Sequence, residues 1–315
     1  MRAAFGSGFR YDFRRAMGRR KPLARLSLLR ERLPDTTILH RMNETETALA
    51  RAADAIEAAA CRDMIAAAPA EFARAAGLRS AEVGGATLLV APGIPDTLFN
   101  RAIGLGAQRR ATEADLDAVI AAFRDAGCKN YWIHWNPFAA PADVPRWLAA
   151  RGFAPPARRS WAKMLREAKP LPEARTALEV REATEPETAA VAQAICSAFG
   201  MPPAFGPWFE AIARKPRWKL FAALAEARVA GGGFLYTAGS DAWLGVAGML
   251  AEFRGRGGQR ALMALRIREA GTAGYSRIFT ETGEPVGGES SPALENMRRS
   301  GFRQICSRVN YAAPG

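Results

Sequence analysis

The densest run of chemically useful residues lies between Trp243 and Arg260, where the chain reads WLGVAGMLAEFRGRGGQR before continuing as ALMALRIREA. An apolar strand pattern gives way to a turn rich in glycine and arginine, and then to a helical pattern. Gly255, Gly257 and Gly258 free the backbone to turn and leave its N–H groups uncovered, while the helix behind adds unpaired donors and the positive end of its dipole. Arg254, Arg256 and Arg260 add charge beside those donors, and a guanidinium matches phosphate geometry. Such a turn suits a diphosphate. It lacks the G-x-x-x-x-G-K-[ST] spacing of a nucleotide P-loop and the G-x-G-x-x-G of a dinucleotide fold.

Other reactive groups are sparse. The only histidines are His40 and His134, and Cys61, Cys128, Cys196 and Cys306 stand far apart without paired spacing. A metal site is therefore not expected, nor a His-activated nucleophile, and the cysteines read as buried thiols of a reducing compartment. That leaves carboxylates and tyrosines for proton transfer. Glu281 is the first candidate base, with Glu252 and Glu284 behind it, and Tyr236 or Tyr311 could donate a proton or position a substrate. Each of these carboxylates also reads as a surface group, and each tyrosine as an aromatic packed at a sheet edge.

Several elements must hold these residues. An Ala-rich helix is expected from Asn43, broken at Pro69 into two. Strands follow at 86–91 and 97–103, then a helix capped by Thr112 and Asp115 and stopped at Gly127, a strand at 130–135, a helix at 142–150 and a strand at 160–165. Residues 167–177, with two prolines and several charges, read as a linker. Beyond it come a strand at 178–181, helices at 186–199 and 207–214, strands at 218–224, 228–237 and 242–250, a helix at 257–271, a strand at 276–281, a helix at 292–300 and a strand at 303–310. The two halves repeat an order: a helix ending in glycine, an aromatic strand, a Pro-containing loop, a short helix ending in Gly-Phe (Gly152-Phe153, Gly301-Phe302) and a last strand. This predicts an α/β fold of two duplicated domains, each a mixed sheet covered by helices.

The motif Arg254-Gly-Arg-Gly257-Gly resembles the R/Q-x-x-G-x-G/A acyl-CoA motif of the GNAT superfamily of N-acetyltransferases, and the order of elements over 178–312 resembles that fold. The resemblance implies a second domain, 178–315, that binds acetyl-CoA, and a first, 42–166, that is a degenerate copy without the Arg/Gly turn. The implied diphosphate site is the backbone from Arg254 through Gly255, Arg256, Gly257, Gly258 and Gln259 to Arg260. Met249 and Leu250 would pair with the pantetheine arm on a strand that splays from its neighbour, and Ser291 and Asn296 would touch the cofactor. Two positions depart from the pattern: Gln259 replaces the final Gly or Ala, and Met297 stands where the family often has a proton-donating Tyr. The implied reaction is transfer of acetyl to a primary amine of a small molecule or peptide by direct attack. The alternative is an acyl-CoA-binding regulatory or scaffold protein without turnover.

Of the net charge of +13, eight units fall in residues 1–41, which hold eleven basic and three acidic residues. With no apolar period, this segment reads as a disordered basic extension, and Met42 could be the natural start. Nucleic acid is not the expected partner, since charge in the tail alone would favour it. No run of 18 apolar residues is present, so no membrane partner is expected and a cytoplasmic location is. A homodimer is left open.

Overall fold

The computed structural model describes residues 44–155, 160–172, 174–285 and 291–314; the basic extension at 1–41 lies outside them. Alanine dominates α1 (Glu44–Ala66), a residue that loses no side-chain entropy in a helix and permits close packing. Pro69 separates it from α2 (Ala70–Ala76). The first half continues with β1 (Arg79–Val83), β2 (Ala86–Val90), β3 (Arg101–Ile103), α3 (Glu113–Asp125), β4 (Trp132–Trp135), α4 (Val144–Ala150) and β5 (Ser160–Glu167). The second half holds β6 (Glu179–Glu182), α5 (Thr188–Ala198), α6 (Gly206–Ala213), β7 (Trp218–Ala225), β8 (Arg228–Ala238), β9 (Asp241–Trp243), β10 (Ala247–Met249), α7 (Gly258–Thr272), β11 (Arg277–Gly283), α8 (Pro292–Arg299) and β12 (Arg303–Ala312).

Two local expectations change. β1 is absent from the sequence reading because RSAEV is short and polar, and it holds its place by pairing with the fully buried β2. The strand expected at 97–103 begins only at Arg101. Before it, Asn100 caps a turn, donating to the carbonyls of Ala91, Ile94 and Asp96, so residues 96–100 fold around a side chain and not along a ladder.

Among the described residues all twelve strands belong to one sheet, in the order β1-β2-β3-β4-β12-β5-β11-β9-β8-β7-β6, with β10 also paired to β8. The pairs β3–β4 and β9–β11 are parallel and the others antiparallel. The last strand of each half is exchanged: β5 lies between β12 and β11, and β12 lies between β4 and β5. Helices α1, α2, α5 and α6 cover one face in a shared core that includes Ile56, Ile195, Trp208 and Phe279. Helices α7 and α8 pack on the other face beside α3 and α4.

The exchange ties the halves together more firmly than a linker between separate sheets would. Residues 178–315 alone would leave the β11 edge unpaired and lose α1 from the core. The full chain is therefore expected to unfold in a single thermal transition, and the fragment 178–315 to aggregate unless co-expressed with 42–167. Two separate calorimetric transitions would contradict this arrangement.

Candidate functional site

The strand expected over 242–250 is interrupted. β9 and β10 both pair with β8, but between them Val246 adopts φ 49°, a conformation a β-branched residue rarely takes, and Gly245 tucks beneath the Trp243 indole. β11 stays beside this line only as far as Trp243, where Leu244 N donates to Phe279 O at 2.9 Å and Thr280 Oγ1 to Leu244 O at 2.8 Å. Past that point β10 pairs with β8 alone and the sheet opens. The break leaves the Phe234 carbonyl without its ladder partner, and the buried Arg266 of α7 supplies one, Nη1 to Phe234 O at 3.0 Å. Burial pushes that guanidinium down to about 10.

The pairing also decides which backbone groups of β10 face the gap. Phe234 N donates to Val246 O and Leu250 N to Ala230 O, so even-numbered residues turn toward β8 and odd-numbered ones away from it. Of the two positions expected for an extended ligand, Met249 faces the gap and the Leu250 amide is already committed to β8.

The turn that follows places its donors at the head of α7. Gly255 and Gly257 adopt φ 78° and 82°, and a Cβ on Gly257 would come within 2.5 Å of Arg175 O. Gly257 is also the N-cap of α7 and offers it no side-chain acceptor, and the first turn of α7 contains no acid. The amides of Gly255, Arg256, Gly257, Gly258 and Gln259 meet no backbone acceptor among the described residues. Arg254, Arg256 and Arg260 are exposed and make no ion pair there either: Arg254 donates to Met249 O and Ala198 O, Arg256 to Glu252 O. Elsewhere in the chain arginines routinely meet acids, as Arg151 meets Asp117 at 2.6 Å and Arg277 meets Asp241 at 2.7 Å.

The corresponding turn of the first half is electrostatically closed. Thr112 and Asp115 form a full capping box on α3, and Arg109 reaches the same Asp115 at 2.6 Å. Hydrogen bonds from Arg109 and Thr112 hold that carboxyl well below its ordinary range. In α3 the third helical residue is the acid Asp115, whereas in α7 it is the cation Arg260.

The remaining candidates scatter. Ser291 is the N-cap of α8, accepting from Leu294 N at 3.3 Å, and the Asn296 carbonyl accepts from Ser300 N, so both lie on the helix after β11. Met297 packs against the α7 side of the core. Tyr236 is fully buried against Trp218, its hydroxyl 3.4 Å from Arg217, and Glu252 is exposed near Arg228. Glu284 is bound by Gln304 and Ser307, both at 2.6 Å. Tyr311 sits in the core of the first half.

Glu281 stands where β11 leaves β9. Its Oε2 accepts from Trp243 Nε1 across the opening at 3.1 Å and from Lys163 Nζ at 3.0 Å, while Oε1 has neither bond. Lys163 lies directly opposite Glu281 in the β5–β11 register and brings with it a cluster that the sequence reading missed. On the face under α1, Glu57 meets Lys163 Nζ at 2.6 Å, Arg101 at 3.3 Å and Arg308 at close range, with Asp54 nearby and His134 on β4. Burial pushes the Glu57 carboxyl up, but Arg308, Lys163 and Arg101 outweigh it and hold it well below the ordinary range. Burial pushes His134 well down, and Arg308 and Arg101 add to that. One signal for the cluster was present: Asp54 and Glu57 are three residues apart, on the helix stripe that also carries Ala50, Ala53 and Ala60.

No protein-family model matches the chain, and no curated protein matches it. Solved structures do. A GCN5-related N-acetyltransferase from Sphaerobacter thermophilus aligns with TM-score 0.55 at 18% identity, over 84% of this chain and 94% of that one. One from Kribbella flavida gives 0.52 at 16%, over 78% and 95%, and a tandem GNAT protein from the clavulanic acid biosynthesis pathway gives 0.53 at 15%, over 74% and 80%. The chain has the fold of the GCN5-related N-acetyltransferases. In that GNAT-type fold the divergence of β10 from β11 and the Arg254–Arg260 turn occupy one end of the second half.

The buried cluster makes two effects measurable. Glu57→Ala leaves three cations around an empty position and should cost about 3–5 kcal/mol in urea denaturation. His134 is kept neutral by the fold, so below its unfolded value of about 6.5 the unfolded chain binds a proton that the native state refuses, and stability falls as pH falls. Between pH 6.5 and 5 the wild type should lose up to about 1.4 kcal/mol per pH unit more than His134→Gln. Parallel curves for the two proteins would show that His134 titrates alike in both states.

Proposed function

We propose that this chain is an acetyl-CoA-dependent N-acetyltransferase of the GNAT type that transfers acetyl to a primary amine of a small molecule or peptide by direct attack. The observation that carries it is the head of α7, where, among the described residues, three arginines without acid partners and a row of amides without backbone acceptors surround an uncapped helix N-terminus. Those are the donors a CoA diphosphate needs. The gap beyond Trp243 would take the pantetheine arm along Met249, bringing the thioester to the break at Leu244–Val246. When bound, acetyl-CoA supplies the activated acyl group. The amine nitrogen bonds to the thioester carbon, the C–S bond breaks, the amine loses one proton and the departing thiolate gains one.

Glu281 is the base in this reading. One carboxylate oxygen is anchored by Trp243 and Lys163, leaving Oε1 to take the amine proton directly or through a water. Tyr236 and Glu252 fit less well, the first because it is buried and the second because it lies beyond the turn. With Met297 where a phenol could stand, the thiolate takes its proton from solvent. The same methionine favours the second reading, an acyl-CoA-binding module without turnover. The first half is a degenerate copy whose equivalent turn Asp115 has closed.

Calorimetry with coenzyme A and thiol release with acetyl-CoA and an amine panel separate these readings. CoA binding with amine-dependent thiol release is expected, Glu281→Gln lowering kcat about 100-fold or more with CoA affinity unchanged. Binding without release from any amine would favour the module, and no binding would remove both. Arg260→Asp gives an independent check. An acid in the first helical turn should stabilise the protein by about 0.3–1 kcal/mol while abolishing CoA binding. A gain in both properties would show that the turn was not held open for an anion.

A further inference from the structure

Arg254 occupies the carbonyl that the acyl donor would use. Its Nε donates to Met249 O at 3.2 Å, on the side of β10 that faces the gap, and its Nη2 reaches Ala198 O at 3.4 Å. Ala198 is the last residue of α5, so the guanidinium spans from a helix C-terminus to β10, held by two carbonyls. Both bonds are long, and no carboxylate among the described residues neutralises the charge. A carbonyl pair holds a guanidinium less strongly than a phosphate does, since a phosphate adds an opposite formal charge and can take two parallel N–H bonds from the guanidinium fork. The arginine begins the turn whose amides face the proposed diphosphate, so its head group can exchange one partner for the other without backbone movement elsewhere.

We propose that Arg254 is a latch that makes the site selective for acyl donors carrying a diphosphate, because the Met249 carbonyl becomes free for the arm only when a diphosphate draws the guanidinium away. The inference rests on the acyl-CoA reading of the site. It makes coenzyme A, rather than a bare pantetheine arm or an arm attached through a single phosphate, the form of donor that opens the gap. The latch costs affinity for the arm and contributes affinity for the diphosphate, so one substitution moves two ligands in opposite directions. A residue that merely shaped the loop would weaken both.

The test uses the full chain, with coenzyme A and pantetheine as probes in calorimetry or competition binding. Arg254→Ala should bind coenzyme A about tenfold or more weakly than wild type, yet bind pantetheine about two- to tenfold more tightly, the worth of one ordinary hydrogen bond released. Arg260→Ala, in the same turn but without contact to Met249, should weaken coenzyme A and leave pantetheine unchanged. If wild type binds coenzyme A and Arg254→Ala loses affinity for both probes, or leaves pantetheine as in wild type, the latch is refuted while the acyl-CoA reading stands. If wild type does not bind coenzyme A, the acyl-CoA reading fails first. Arg254 is exposed, so Arg254→Ala is expected to fold, and an unchanged thermal midpoint checks it.

Discussion

The fold depends on one buried carboxylate. Glu57 on α1 is surrounded by Arg308 from β12, Lys163 from β5 and Arg101 from β3, so three strands drawn from both halves converge on a single anion. None of these charges could be buried alone, because an unpaired ion in the interior costs several kcal/mol. Each half supplies charges that the other must answer. The exchange of β5 and β12 follows the same logic, since it brings the lysine and an arginine beneath α1, where Glu57 can reach them.

The cluster also specifies register. Along β12, Arg308 and Asn310 lie opposite Trp161 and His134, on the face covered by α1. A slip of one residue would turn the fully buried Arg308 into the apolar layer beneath α3 and α4, where Val309 and Tyr311 pack, and bring Val309 against Glu57. In the middle of so long a sheet, apolar alternation alone would allow such slippage at modest cost, whereas a misplaced guanidinium forbids it. The same register sets Lys163 against Glu281, so the charge that fixes the middle of the sheet also anchors the carboxylate at the edge of the gap.

Much of this was legible in the sequence where periodicity and turn chemistry agree. The Thr112–Asp115 capping box, the break at Pro69, the glycine stops and the Arg/Gly turn all appear where the residues place them. What escaped was nonlocal. RSAEV carries no strand signal of its own, and nothing in the 160–167 or 303–312 segments reveals that they change places, because exchange is a property of pairing between distant strands. Glu281 read as a candidate base or a surface carboxylate at a strand end, and its anchoring was invisible because Lys163, 118 residues away, cannot be seen from its neighbours. The glycines Gly231 to Gly233 were a usable signal left unread. A Cβ on Gly232 would strike Val191 of α5 at 2.4 Å, so bare backbone is what lets α5 lie close on β8 beside the break.

The two halves show why one turn stays open and the other does not. A helix N-terminus favours an acid in its first turn, and α3 follows that rule with Asp115, which caps the helix and absorbs Arg109. α7 breaks it, with Gly257 as a cap that accepts nothing and Arg260 set against the positive end of the dipole. Stability alone would remove such an arrangement, because a single carboxylate at residue 260 would satisfy the amides and the arginines together. Local conflicts of this kind are expected where a chain reserves binding capacity for something it does not carry itself. The third residue of each helix therefore separates the two turns: aspartate in α3, where the chain supplies its own anion, and arginine in α7, where the proposed reading has the anion come from outside.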